Sequence, residues 1–390
     1  MNLFMTTLRN DSMRVLALLA LLAMGGCASW WGNLFGGKDT SEKPAPLVEF
    51  KASAPLRVLW QANIGSADTA FFSPAVEGEQ VYVAAANGQL ASLDKSTGRV
   101  VWQVSTDKKL SGGVGAGEGL VAVGSAKGEV LAYDKSGKQL WVSPLSSEIL
   151  APPQIAGNLV LARTIDGKIF ALNGADGKSK WVYQRAVPAL SLRTPAGILI
   201  HRGAVFAGFA GGKMVALDVA NGNVGWEATV ALPKGATELE RIADVSGTPV
   251  TDGQHVYAVA YQGKVAALDI NSGNPVWSKD ISSAAGLGLD QQNIYVSDVR
   301  GNVHALSKAN GASMWKQDKL TARALSAPAS NNKFIAVGDL QGYIHFLSPE
   351  DGSFVNRVAT DGSAIRVQPL VENQSFLIQT ERGGVYALGL

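Results

Sequence analysis

KVAALDINSGNPVW, residues 264–277, reads as a short apolar strand, a polar turn and a second short strand ending in Trp277. The chain repeats this at QLASLDKSTGRVVW (89–102) and KMVALDVANGNVGW (213–226). Reduced to Gly-x-Φ-x-x-Φ, with Φ apolar, the pattern starts at Gly88, Gly128, Gly167, Gly212, Gly263, Gly301, Gly342 and Gly383. Successive starts lie 40, 39, 45, 51, 38, 41 and 41 residues apart. Trp102, Trp181, Trp226, Trp277 and Trp315 each follow their own Gly by 14 residues, and Trp141 follows Gly128 by 13. Asn356 takes the Trp position after Gly342, and the chain ends at Leu390 before a Trp could follow Gly383.

The missing Trp stands at the other end. RVLWQANIG carries Trp60 on a strand with no template before it. One repeat therefore begins at the C-terminus and finishes near the N-terminus, which closes a ring. A linear solenoid instead needs capping repeats. Repeats of roughly 40–45 residues with four short strands are propeller blades. The pattern predicts an all-β, eight-bladed β-propeller with four antiparallel strands per blade. The last blade is closed by the N-terminal strand, and the ring spans residues 55–390. Asp94, Asp134, Asp218 and Asp269 end third strands, where an Asp can accept bonds from its own turn. The Trp rings are expected to pack between neighbouring blades.

The bulk numbers agree with a packed ring and narrow its function. Apolar residues make up 46% and charged residues 17%, a globular balance. A net charge of +2 without a basic run gives no reason to expect nucleic acid. Cys27 is the single cysteine, so neither an internal disulfide nor a Cys-based zinc site can form. His201, His255, His304 and His345 sit in no metal-binding motif. A closed ring needs no mate, so a monomer is expected.

Arg9 and Arg14 precede an apolar run at 15–24, too short to span a bilayer and suited to a secretory signal over residues 1–26. The run leads into Gly25-Gly26-Cys27, which resembles the lipobox of bacterial lipoproteins. The resemblance implies cleavage before Cys27 and its lipidation, and Ala28 after it implies the outer membrane. Residues 27–54, rich in Gly, Pro, Ser and Lys, read as a flexible tether. Trp30 and Trp31 beside the lipid site suit a membrane interface.

The A-L-D-x-x-x-G-x-x-x-W signature resembles the repeat of pyrroloquinoline-quinone enzymes. That gives one alternative, a periplasmic quinoprotein dehydrogenase with a calcium site and, typically, two adjacent cysteines, which this chain lacks. The lipobox, tether and eight blades together resemble the BamB family of the β-barrel assembly machinery. LSLR at 190–193, ELERIADVSGTPV at 238–250 and GYIHFLSPEDGSFV at 342–355 carry that resemblance. It implies a non-enzymatic, cofactor-free scaffold on the periplasmic side of the outer membrane. Such a scaffold binds the POTRA domains of BamA and assists outer-membrane β-barrel clients.

Repeat spacing supplies a site independently. The surplus at 45 and 51 falls in the links after Trp181 and Trp226. Both links join an outer strand to the next inner strand, so both emerge on one face, and insertions commonly mark the binding face. Leu190 and Leu192 are apolar, Arg193 and Arg241 cationic, and Glu238, Glu240 and Asp244 anionic. In the BamB family, the leucines and Arg of the first link and an acidic pair in the second contact BamA. Leu190, Leu192, Arg193 and Asp244 match that pattern, while Ser246 stands where the second acid would be. An Arg193–Asp244 salt bridge joining the links is the structural alternative.

Overall fold

The computed structural model describes residues 43–390, and its compact ring comprises Pro44–Leu390. The secretory signal, Cys27, Trp30 and Trp31 lie outside the described residues.

Eight sheets form the ring, each with four strands in antiparallel succession, and one of them carries a fifth strand. In the first blade these are Ala75–Glu77, Gln80–Ala84, Gln89–Asp94 and Val100–Ser105. The two middle strands are buried on both faces, while outer strands alternate between exposed and half-buried positions. Both faces of a middle strand pack against neighbouring blades, which explains their unbroken apolar runs. The eighth blade joins Leu370–Glu372, Ser375–Gln379 and Gly384–Gly389 to Arg57–Asn63. Trp60 pairs with Ala387 there, so the two ends of the described chain close the ring as the repeat count predicts.

Eight hydrophobic clusters hold the ring, and each one spans a seam between two blades. Trp141 shows how a seam is built. Its ring lies against Gly177 of the next blade, where a Cβ would come within 2.6 Å of the indole. Gly177 also has φ +70°, which glycine adopts without strain. The indole Nε1–H donates to the Gly174 carbonyl at 2.7 Å. The same stacking of Trp on glycine recurs at six other seams. The turn acids behave as expected: the Asp94 carboxylate accepts from the N–H groups of Ser96 (3.1 Å) and Thr97 (2.8 Å).

Two features depart from the sequence reading. Residues 44–54 lie against the seventh blade within the compact unit Pro44–Leu390, ahead of the ring's first strand at Arg57. The Ala45 N–H donates to the Thr321 carbonyl (3.0 Å) and the Ser53 N–H to that of Val355 (2.9 Å), while Phe50 stacks on Phe354. A Pro- and Lys-containing segment without periodicity reads as a tether because its partners are distant in sequence. The second departure is Phe71–Phe72, a short extra strand parallel to Leu110–Gly117 of the second blade. That inner strand is glycine-rich because other chain lies against it: a Cβ on Gly112 would meet the Ile149 carbonyl at 2.6 Å.

Candidate functional site

The two long links run over residues 185–197 and 230–249, between outer and inner strands of adjacent blades. They meet as the spacing predicts. The Leu192 N–H donates to Asp244 Oδ2 at 2.7 Å, and the Gly211 N–H donates to Asp244 Oδ1 at 3.2 Å. Asp244 is buried, so its carboxylate joins the two links from within and does not stand on the surface.

Arg193 does not pair with Asp244. Its guanidinium grips both oxygens of Glu148, at 2.8 and 3.3 Å, and donates to the Thr69 carbonyl at 3.3 Å. Two neighbouring links are thereby tied to the first, because residues 148 and 69 belong to other blade connections. Ser246 is buried, and its hydroxyl donates to the Ser283 carbonyl at 3.3 Å. The position of the absent second acid is thus turned inward in this chain.

The second link carries a single capped turn. The Glu240 carboxylate accepts from the Ala236 N–H (2.8 Å) and the Thr237 N–H (3.0 Å), and the Glu240 N–H donates back to Thr237 Oγ1 (3.2 Å). This Thr-x-x-Glu reciprocity is a capping box. The backbone N–H of Thr237, first among its causes, holds the Glu240 carboxyl below its ordinary range. Arg241 folds back on the same turn, donating to the Gly235 carbonyl (3.1 Å) and to Glu238 (3.4 Å). The turn projects Leu239, 67% exposed, at its tip.

A cleft of ≈270 Å³ opens beneath the links, lined by Leu150, Arg163, Ile165, Val187, Leu192 and Asp244 among others. The Arg163 guanidinium stacks 4.6 Å over the Phe209 ring and donates to the Ala196 carbonyl at 3.1 Å. Burial pushes its pKa down to about 10, and the nearby Asp244 charge opposes that shift. Around the cleft and the capped turn, Ile165, Val187, Leu190, Leu232 and Leu239 are all exposed. Sequence reading found Leu190 but not the other four. Leu239 was within reach, because it stands between Glu238 and Glu240.

The central channel tests the quinoprotein alternative. A space of ≈180 Å³ there is lined mostly by small and apolar residues, including Phe71, Pro152, Pro195 and Gly286. Among the described residues Arg366 is the one charged residue lining it, and it pairs with Glu381 at 3.1 Å. Gln368 bridges part of the wall, donating to the Leu287 (3.2 Å) and Pro328 (2.6 Å) carbonyls. Calcium binding calls for six to eight oxygens, usually with carboxylates among them. No group of three His, Cys, Asp or Glu side chains among the described residues could hold a metal ion. These residues do not fit a quinone–calcium site.

A family model described as outer membrane protein assembly factor BamB matches residues 53–108 and 86–317. This chain belongs to the BamB family. A family member from Nitrosomonas eutropha is 45% identical over 97% of this chain and 95% of its own length. One from Burkholderia pseudomallei is 40% identical, covering 98% of this chain and 99% of its own. The crystal structure of BamB from Moraxella catarrhalis superposes with a TM-score of 0.80 at 28% identity, over 86% of this chain and 100% of that one. A quinohemoprotein alcohol dehydrogenase from Comamonas testosteroni shares the ring at TM-score 0.67 but only 13% identity, over 92% of this chain and 82% of that one. That likeness extends to the fold alone.

Proposed function

We propose that this protein is a non-enzymatic scaffold of the β-barrel assembly machinery. Its rim over the third to fifth blades docks on the periplasmic POTRA region of BamA. One observation carries the reading. Exposed Ile165 and Val187 line the cleft beside Arg193, and Leu190, Leu232 and Leu239 stand exposed on the two long links themselves. Grouped exposed apolar residues with a polar surround mark interaction sites, and the family's name agrees with a role in outer-membrane assembly. Leu190, Leu192 and Arg193 are the contact residues in this reading. Asp244 holds the links together, and Arg241 stiffens the turn that presents Leu239.

Lipidation of Cys27 would anchor the scaffold to the periplasmic side of the outer membrane. Several acyl chains together give stable anchoring where one is marginal. Unfolded β-barrel clients are a second partner class. The outer strands offer them free edges, and an extended segment can add to such an edge. The ring would act as a monomer inside a hetero-oligomeric complex.

The deciding experiment titrates the full-length protein against the purified BamA periplasmic region. Saturable binding that a Leu192→Ala/Arg193→Ala variant loses, with its thermal midpoint kept, supports the docking rim. Absence of binding by the unsubstituted protein refutes it.

A further inference from the structure

We propose that Arg163 is an anion seat in the rim cleft, taking an Asp or Glu carboxylate of the docking partner while an adjacent apolar side chain packs on Ile165 and Val187. The inference rests on the docking reading above and goes further, because it names a residue and a ligand chemistry.

The geometry leaves this guanidinium under-used. Arginine offers five N–H donors, and Arg163 uses one, on the Ala196 carbonyl. Asp244 acts on it only through space: its oxygens accept from the N–H groups of Leu192 and Gly211, and no hydrogen bond joins it to Arg163. Two arginines in the links of this face are paired, Arg193 with Glu148 and Arg323 with Asp339. Arg163 is only partly buried, but among the described residues it has no ion-pair partner, and a partly desolvated unpaired charge is unfavourable for the free ring. Such groups concentrate where a ligand later supplies the missing charge.

Position and rigidity agree with that role. Arg163 lies on the regular strand Leu159–Thr164, one residue from its end, and its plane is fixed over Phe209. A planar, immobilised guanidinium is well suited to a carboxylate, which it can meet with two parallel bonds. The cleft is mixed: Leu150, Ile165, Val187 and Leu192 supply apolar wall around the charge, with Ser191, Thr194, Arg193 and Asp244 completing it. A lone carboxylate would lose its water there without packing gain, so the fitting occupant is an acidic residue beside an apolar one.

The test compares three full-length proteins, unsubstituted, Arg163→Met and Arg163→Lys, in titrations with the BamA periplasmic region at two salt concentrations. Arg163→Met should weaken binding roughly tenfold or more and flatten its salt dependence. Its thermal midpoint should stay level or rise, because Met fills similar volume without an unpaired charge. Arg163→Lys should bind at an intermediate level, keeping charge but losing the fork. Arg163→Met binding as well as the unsubstituted protein would overturn the anion seat and leave the docking reading standing. A fall in midpoint that tracks the loss of binding would also overturn it, assigning Arg163 to the ring's structure. Failure of the unsubstituted protein to bind would sink the docking reading, and the Arg163 contact with it.

Discussion

The side-chain amide of Asn356 donates to the carbonyl oxygen of Leu56 at 3.0 Å, and to that of Ala54 at 2.7 Å. Asn356 stands at the position that holds Trp in the other blades. At the other seven seams an indole N–H donates to a carbonyl of the next blade, as Trp181 does to Val219 at 3.0 Å. At the seventh-to-eighth seam that turn does not exist, because the chain enters the outer strand there. A short amide reaches the entering chain, and Leu56 fills the apolar space. Asn356→Ala would leave two carbonyls without their donor and should lower stability by roughly 1–3 kcal/mol. Trp181→Phe keeps an aromatic ring and loses one bond, for roughly 1 kcal/mol from that bond. Denaturant midpoints of the two variants compare them directly. An unchanged midpoint for Asn356→Ala would mean that packing of Leu56 alone closes the ring.

Gly177 and Gly157 separate two reasons for a turn glycine. Gly157 has φ +56° and open space where a Cβ would go. Ala there should cost about 1–2 kcal/mol, from backbone strain alone. Gly177 shares the positive φ, but its Cβ would strike the Trp141 ring. Gly177→Ala should therefore lose a further 1–3 kcal/mol or so through overpacking. Equal losses in urea unfolding would show that the Trp ring yields and that only φ matters.

The ring was legible because its rules are local and repeated. Gly88 to Gly383 mark turns, the Trp positions mark seams, and the placement of Trp60 against Gly383 gives closure without any distance information. Leu190, Leu192 and Asp244 were reachable because insertions break the repeat. The particular pairs were not. Arg193 selects Glu148, 45 residues away, in place of Asp244, and nothing in the local sequence marks Glu148. Residues 44–54 were misjudged for the same reason: Arg357 holds the Val48 carbonyl at 3.0 Å across 309 positions.

Acid should loosen that strap through His345. The imidazole is fully buried. Its Nε2 lies 2.9 Å from Asp339 Oδ2, and its Nδ1 lies 3.2 Å from the Arg357 Nε–H donor. These partners assign a neutral ring with the proton on Nε2. The remaining groups facing it are the Arg323 guanidinium, bound to Asp339, and the Tyr343 and Phe354 rings. Burial pushes the His345 pKa down, against the pull of Asp339. A His with a lowered folded-state value contributes stability that is full above the ordinary pKa of about 6.5. That contribution is lost as pH falls through the folded value. Protonated Nδ1 would oppose the Arg357 N–H and release its hold on Val48. Asp339 also faces the ring; burial acts against its charge, but its bonds to His345 and the Tyr343 N–H hold its carboxyl below the ordinary range. Hydrogen-exchange protection over residues 45–54, taken relative to the intrinsic rate at each pH, should fall below pH 6, and His345→Gln should flatten that pH dependence. Protection that stays constant from pH 7.5 to 4.5 would remove His345 from any control of the strap.

Asp244 and Leu239 should separate holding the rim from touching a partner. Asp244 is buried and its acceptors serve the backbone of Leu192 and Gly211. Asp244→Ala would orphan both N–H groups, lowering stability by roughly 2–4 kcal/mol. It should weaken BamA binding as well, because Leu192 and the first link lose their position. Leu239 sits at the tip of the capped turn with most of its surface open. Leu239→Ala should leave the thermal midpoint within about 0.5 kcal/mol of stability while weakening binding by 1 kcal/mol or so, as truncation of an apolar contact does. Pairing calorimetric unfolding with a binding titration for each variant reads both effects. If Asp244→Ala unfolds normally yet fails to bind, Asp244 contacts the partner and the links stand without it. If Leu239→Ala binds normally, the docking surface ends at the first link and the cleft.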